Sequence, residues 1–125
     1  MTANAHPVIS IIVPCHNEAQ SLKIFLQAMN AALETIAGVS FELVFIDDGS
    51  TDATLATLRA FANDDPRIRI LELSRNFGKE AALTAGIDFA KGDAVIPIDA
   101  DLQDPPAVIP SLVEKWRGGC EVVLA

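Results

Sequence analysis

The stretch Ala94-Val95-Ile96-Pro97-Ile98-Asp99-Ala100-Asp101 is a short apolar run followed directly by two acids. If the run is a β-strand, side chains two residues apart point to the same side, so the carboxylates of Asp99 and Asp101 project together. Adjacent carboxylates repel each other unless a cation lies between them, and their hard oxygen atoms suit Mg²⁺ or Mn²⁺ bridging to a phosphate ligand. The stretch therefore predicts a strand that ends in a site for a metal and a diphosphate, with Gln103 as a further oxygen donor.

Similar apolar runs recur along the chain and alternate with segments of helical periodicity. They are short, continuously apolar and rich in β-branched residues, which is typical of parallel strands covered by helices on both faces. The pattern predicts a doubly wound, Rossmann-like α/β fold with a mostly parallel sheet. The predicted strands are residues 8–13, 41–46, 68–73, 94–98 and 121–124, and the predicted helices are residues 21–36, 52–61, 79–89 and 108–116.

The composition restricts the class of protein. The chain has 125 residues, half of them hydrophobic, which is enough for one domain with a packed core. Its net charge of −8 argues against a broad nucleic-acid surface, so we expect no nucleic-acid partner. No apolar run approaches the roughly 20 residues that span a bilayer, and the N-terminus lacks a signal-peptide pattern. We therefore expect a cytoplasmic protein.

The ends of the chain and its cysteines give further expectations. Residues 1–7 read as a flexible tail and residues 8–125 as one domain. We expect that domain to be truncated at its C-terminus, because the predicted strand at 121–124 is not followed by a helix. Cys15 and Cys120 lie far apart without metal-ligand spacing, which predicts buried thiols.

Polar turns follow the first three predicted strands, and ligands of open α/β sheets lie beyond the carboxyl ends of the strands. Residues 14–18 can hold a base or ribose through Glu18 or Asn17, or else serve as a turn that caps the next helix. Asp48 can accept hydrogen bonds from a base or from ribose hydroxyl groups. Lys79 precedes helical periodicity, where it can bind phosphate or pair with a nearby acid in a solvated loop.

Two common nucleotide motifs are missing. The residues around Lys79 do not match the Walker pattern, and Gly-x-Gly-x-x-Gly does not occur in the chain. The sequence therefore gives no support to dinucleotide binding of the Rossmann kind.

Taken together, residues 11–18, 47–52, 74–79 and 99–106 resemble the motifs of family 2 glycosyltransferases with the GT-A fold. More narrowly, they are similar to dolichyl-phosphate mannose synthases and their bacterial undecaprenyl-phosphate relatives. The resemblance implies that this chain is the nucleotide-binding half of a GT-A fold and an enzyme. The implied reaction is the metal-dependent transfer of a hexose from a UDP- or GDP-linked sugar to a polyprenyl phosphate, with Mg²⁺ or Mn²⁺ as cofactor.

The resemblance also implies roles for particular residues. The implied nucleotide-binding residues are Pro14, His16, Glu18, Asp47, Asp48 and Lys79. His16 stands where the family often has an aromatic residue. Asp99 and Asp101 are the candidate catalytic residues and, with Gln103, the candidate metal ligands. The resemblance further implies contact with the cytoplasmic face of a membrane only through regions absent from this sequence. We expect this chain alone to bind nucleotide but to transfer little sugar.

Two alternatives belong to other classes of protein. A response-regulator receiver is also a small α/β domain that binds Mg²⁺ through acids, but it needs an acidic pair after its first strand and an aspartate after its third. Here those places hold Pro14-Cys15 and Ser74-Arg75. The second alternative is a nucleotide-binding module that docks onto a partner without catalysis.

Overall fold

The computed structural model of the chain describes residues 7–101 and 105–117. Within these ranges strands and helices alternate as the sequence predicts. The strands are β1 (Val8–Cys15), β2 (Ser40–Asp48), β3 (Ile68–Leu73) and β4 (Ala94–Pro97). The helices are α1 (Leu22–Leu33), α2 (Thr54–Asp64), α3 (Lys79–Phe89) and α4 (Ile109–Arg117), the last preceded by a 3₁₀ turn at Pro106–Val108. The predicted strand at 121–124 and Cys120 lie outside the described residues.

The described strands form one parallel sheet in the order β3-β2-β1-β4. The chain runs outward from β1 to β3 and then crosses back to place β4 on the other side of β1. This reversal is the topological switch point of a doubly wound sheet, and ligands bind beside such points. The predicted α/β class is therefore confirmed, and the region between the carboxyl ends of β1 and β4 is where a site is expected.

Helices cover both faces of the sheet. On one face, α1 buries Phe25 against Phe45 of β2, with the rings edge to face at 82° and their centroids 6.4 Å apart. On the other face, α3 packs through Ala82 onto Ile12 and Ile46. Residues on both faces of β1 and β2 are buried, which explains why these strands are apolar almost throughout. None of the helices in these ranges combines the length and apolar character that a bilayer-spanning segment requires.

Strand β1 continues through Pro14 to Cys15, although the sequence predicts that the proline ends it. The carbonyl of Ile12 accepts a hydrogen bond from the Ile98 amide, so the backbone polar groups of Ile12 point toward β4. The backbone of Pro14, two residues later, points to the same side of β1, and there the pairing with β4 has already ended at Pro97. The missing N–H of the proline therefore costs no hydrogen bond of the sheet.

A polar network closes the amino end of the sheet. The carboxylate of Glu42, on β2, accepts hydrogen bonds from the Ser10 hydroxyl at 2.6 Å and the Lys91 amide at 3.0 Å. It also pairs with Arg69 of β3 at 2.6 Å, and the Arg69 guanidinium lies over the Phe89 ring. Glu42 therefore joins three strands to the turn after α3.

We predict that Glu42→Gln destabilises the chain by about 1–3 kcal/mol at pH 7, because it weakens hydrogen bonds to a buried charge. Burial raises the pKa of Glu42, but the hydrogen bonds from Lys91, Ser10 and Arg69 outweigh it and hold the pKa below its ordinary value. The stabilisation is therefore present above the unfolded-state pKa of about 4.3 and is lost as pH falls through the lower folded-state value.

Urea unfolding of the wild type and of Glu42→Gln, at pH 7 and at about pH 4, measures the stability difference between them and how far it shrinks at the lower pH. The matched control is Glu72→Gln, since Glu72 pairs with Arg59 on the surface with both side chains at least half exposed. We expect the control to change stability by less than about 1 kcal/mol. An equal effect of the two substitutions would contradict the role assigned to Glu42.

Candidate active site

A cleft of about 350 Å³ opens at the carboxyl edge of the sheet. Most of the predicted site residues line it: Pro14, His16, Glu18, Asp48, Lys79, Asp99 and Asp101. Cys15, Asn76, Gly78 and Ala100 complete its lining. The cleft lies at the switch point between β1 and β4, with the turns after β2 and β3 forming its other wall.

Asp99 and Asp101 both line the cleft. Strand β4 ends at Pro97, one residue before the predicted end, but the Ile98 amide still donates to the Ile12 carbonyl. Burial also keeps alternating beyond the strand, because Ile98 and Ala100 are buried while the two acids are not. Asp99 pairs with Lys79, whose Nζ lies 2.6 Å from its Oδ2. The predicted pairing of Lys79 with a nearby acid is thus confirmed, although Lys79 is the first residue of α3 and not part of a loop. Phosphate binding by Lys79 stays a prediction. Gln103 lies outside the described residues.

Glu18 brings another carboxylate to the same cleft. Its backbone carbonyl accepts the amides of Ser21 and Leu22 and so begins α1, which leaves its side chain turned to the cleft. Burial raises the pKa of Glu18, against a hydrogen bond from the Ser21 hydroxyl, and the negative charges of nearby acids raise it further. Those acids are Asp101, Asp52 and Asp99. The carboxylates therefore lie close enough to repel one another, and a cation bound among them would be stabilised.

Asn17 fastens the turn after β1 to the turn after β2. Its side-chain Oδ1 accepts hydrogen bonds from the backbone amides of Thr51 at 2.8 Å and Asp52 at 3.3 Å. Its backbone amide donates to Ser50 Oγ at 3.0 Å. Its φ of 54° lies in the left-handed region, which asparagine tolerates better than most residues. The turn that carries Glu18 is thus held from outside the cleft.

Asp48 joins the turns after β2 and β3, which form the other wall of the cleft. Its carboxylate is almost fully buried and accepts the amides of Phe77 at 2.8 Å and Gly78 at 3.1 Å. Gly49, with φ 65°, lies against the backbone of Asn76, where a Cβ atom would come within 2.2 Å of the amide nitrogen. A carboxylate has lone pairs beyond these bonds, so Asp48 can still accept from a ligand in the cleft.

Asp47 is placed differently from its neighbour. It is almost fully buried, and its Oδ1 accepts the Ser50 amide at 3.3 Å within the turn after β2. It is not among the residues that line the cleft. Its predicted contact with nucleotide stays a prediction, and its visible role is to shape the turn.

His16 connects three turns. Its Nδ1 lies 2.8 Å from the Asp48 carbonyl oxygen, and because that oxygen can only accept, Nδ1 carries the proton. The Asn76 side-chain nitrogen lies 3.0 Å from Nε2 and 3.1 Å from Nδ1, so the amide contacts both ring nitrogens. The sequence placed His16 on the pocket wall but did not single out Asn76, although it pointed to residues 74–79 as a whole.

Cys15 is buried, as predicted, with its Sγ 3.7 Å from the Val13 carbonyl. Burial, together with the negative charges of Glu18 and Asp47, raises the pKa of its thiol far above the ordinary value. A neutral thiol is a poor nucleophile and a poor metal ligand, so Cys15 contributes packing to the cleft rather than chemistry.

The sequence matches the model of the family described as "Glycosyl transferase family 2" over residues 10–125. This chain belongs to glycosyl transferase family 2. The match confirms the predicted family and leaves the receiver alternative without support. Relatives and solved structures agree with it.

Among similar proteins is a prophage bactoprenol glucosyl transferase homolog of Escherichia coli (strain K12), 50% identical over 117 residues. An undecaprenyl-phosphate 4-deoxy-4-formamido-L-arabinose transferase of Pseudomonas paraeruginosa is 42% identical over 117 residues. The matches cover 94% and 93% of this chain but only 38% and 34% of those relatives. The chain thus spans well under half the length of either relative.

Similar solved structures include a mannosyltransferase from Pyrobaculum calidifontis in complex with GDP-Man and Mn²⁺, with a TM-score of 0.71 and 27% identity. The match covers 87% of this chain and 32% of the mannosyltransferase chain. Glucosyl-3-phosphoglycerate synthase from Mycobacterium tuberculosis, in complex with Mn²⁺, UDP and glucosyl-3-phosphoglycerate, has a TM-score of 0.66 and 29% sequence identity. That match covers 90% of this chain and 40% of the synthase chain. The predicted GT-A fold class is confirmed.

We predict that Asn17→Ala destabilises the chain by about 1–2 kcal/mol, because the Thr51 and Asp52 amides lose their acceptor and alanine strains a left-handed backbone. Asn17→Gly is the matched control, since glycine removes the side chain but accepts the backbone conformation. Urea unfolding should place Asn17→Gly between the wild type and Asn17→Ala. Wild-type stability in both variants would show that the side chain does not fasten the two turns.

Proposed function

We propose that this chain forms the donor-binding part of a glycosyltransferase that transfers a hexose from a nucleotide diphosphate sugar to a polyprenyl phosphate. The observation that carries the proposal is the meeting of Asp99, Asp101 and Glu18 at one cleft on the switch point of the sheet. The family match and the names of the similar transferases support this choice among ligands of the cleft.

The chemistry of the donor set fits a divalent cation. Asp99 and Asp101 offer carboxylate oxygens at the cleft, and hard oxygen ligands suit Mg²⁺ and Mn²⁺. Among residues 7–101 and 105–117, no group of three or more acidic, histidine or cysteine side chains forms a ready metal cage. The phosphates of the donor would supply further oxygen ligands to an ion held by Asp99 and Asp101.

The residues that surround these acids suit the other parts of a nucleotide sugar. Asp48, His16 and Glu18, at the carboxyl ends of β2 and β1, offer hydrogen-bonding groups for a base and a ribose. Lys79 and the amino end of α3 present positive charge toward the diphosphate. We assign the nucleoside to the side of the cleft that carries Asp48, His16 and Glu18. We assign the diphosphate to the space between Lys79 and Asp101.

In the proposed reaction an oxygen of the acceptor phosphate attacks the anomeric carbon of the sugar, and the bond from that carbon to the diphosphate breaks. The attacking oxygen is already anionic, so the chain need not supply a strong base. A divalent cation, when bound, neutralises the charge that develops on the departing nucleoside diphosphate. Asp99 and Asp101 would hold that ion, and Lys79 adds a further positive charge beside the leaving group.

We predict that UDP or GDP binds this chain in the presence of Mn²⁺ or Mg²⁺ and that EDTA abolishes the binding. Asp101→Asn keeps the size of the side chain but removes its charge, and should weaken metal-dependent binding by about tenfold or more. Isothermal titration of each nucleotide with each metal measures both effects.

The matched control is Asp88→Asn, which makes the same change at an exposed position near the end of α3, away from the cleft. It should leave the affinity unchanged. Binding that ignores EDTA and Asp101→Asn, in a chain shown to be folded, would contradict the proposed site.

A further inference from the structure

The ion pair between Lys79 and Asp99 occupies the part of the cleft where the proposed function places a metal. Lys79 Nζ lies 2.6 Å from Asp99 Oδ2, and the Lys79 side chain is 59% exposed while that of Asp99 is 22% exposed. The ammonium group therefore approaches from the solvent side onto a carboxylate that is largely covered. It already supplies positive charge among acids that repel one another.

The backbone that carries Lys79 is fixed. The amides of Phe77 and Gly78, directly before it, donate to the buried carboxylate of Asp48. Lys79 is the first residue of α3, and the Gly78 carbonyl accepts the Ala82 amide in the first turn of that helix. Any movement of its charge must therefore come from the flexible four-carbon side chain.

We propose that Lys79 changes partner when the donor binds: it neutralises Asp99 in the free chain and moves to the diphosphate when a divalent cation takes that carboxylate. An ammonium group and a divalent cation at one carboxylate repel each other strongly at such distances. The diphosphate brings new anionic oxygens to the same cleft, and the side chain of Lys79 reaches them without any change in the backbone. This inference rests on the proposed function.

The exchange has two consequences of opposite sign. In the absence of nucleotide Lys79 competes with the metal, so removing its charge strengthens the binding of the metal alone. In the presence of nucleotide Lys79 binds the diphosphate, so removing its charge weakens the binding of the metal-nucleotide complex. A lysine that only stabilised the fold would weaken both when it is replaced.

The test uses Lys79→Met, with Lys91→Met as the matched control. Lys91 is exposed beyond the far end of α3, and the same substitution there makes the same change in net charge. Binding of Mn²⁺ alone is followed by electron paramagnetic resonance. Binding of UDP or GDP, whichever the wild type binds more tightly, is measured by calorimetry at saturating Mn²⁺.

For Lys79→Met we expect Mn²⁺ alone to bind about two- to fivefold more tightly than to the wild type, the range for a partly exposed ion pair. The nucleotide should bind about two- to tenfold more weakly. Lys91→Met should change neither value.

Unchanged or weaker binding of Mn²⁺ alone to Lys79→Met would overturn the exchange, and so would tighter binding of the nucleotide. If the wild type binds nucleotide in a metal-dependent way while these shifts are missing, only this inference fails. If neither the wild type nor the variant binds nucleotide in a metal-dependent way, the proposed function itself fails.

Discussion

The parallel pairing of β1 with β2 on one side and β4 on the other is the constraint on which the rest of the structure depends. Parallel strands end at the same edge of a sheet, so every turn that follows a strand is delivered to one edge. The reversal of strand order at β1 then separates two of these turns by a crevice. The chain therefore needs few residues between its strands to assemble a cleft lined by polar groups.

The acids at this edge divide into two kinds by what they contact. Asp48 and Asp52 accept backbone amides from neighbouring turns and so hold the walls together. Asp99, Asp101 and Glu18 face the cleft, where their charges repel one another. The first kind stabilises the fold, while the second gathers negative charge that the Lys79 ammonium group offsets in part at Asp99. This division, and not the number of acids, is what makes the edge a candidate binding site.

Much of the architecture was predictable because burial on both faces of a sheet produces a local pattern that can be read without contacts. The strands and the doubly wound order followed from apolar runs that alternate with helical periodicity. Six of the predicted cleft residues were predictable as polar groups near the ends of strands, while the place of Pro14 followed only from the family resemblance. The hydrogen bonds of Asn17 to Thr51 and Asp52 were not, because they join turns 34 and 35 residues apart in the chain.

The predicted placement of Asp99 and Asp101 on one side agrees with the structure, although β4 stops at Pro97, before either acid. Burial continues to alternate beyond the strand, so Ile98 and Ala100 are buried while the two acids line the cleft. Asp47 shows the converse, since it lies next to Asp48 in sequence yet faces the interior of its turn. Adjacent residues of a strand end point to opposite sides, so one of the two was bound to face away from the cleft.

The central claim is that Asp99 and Asp101 hold a divalent cation at the switch point of the sheet. The most direct measurement follows the amide signals of the folded chain by nuclear magnetic resonance while Mn²⁺ is added with UDP or GDP. Paramagnetic broadening should begin at Asp99, Asp101 and Lys79 and leave the amino end of the sheet, around Ser40, unaffected. Broadening centred elsewhere, or spread evenly over the acidic surface, would contradict the account.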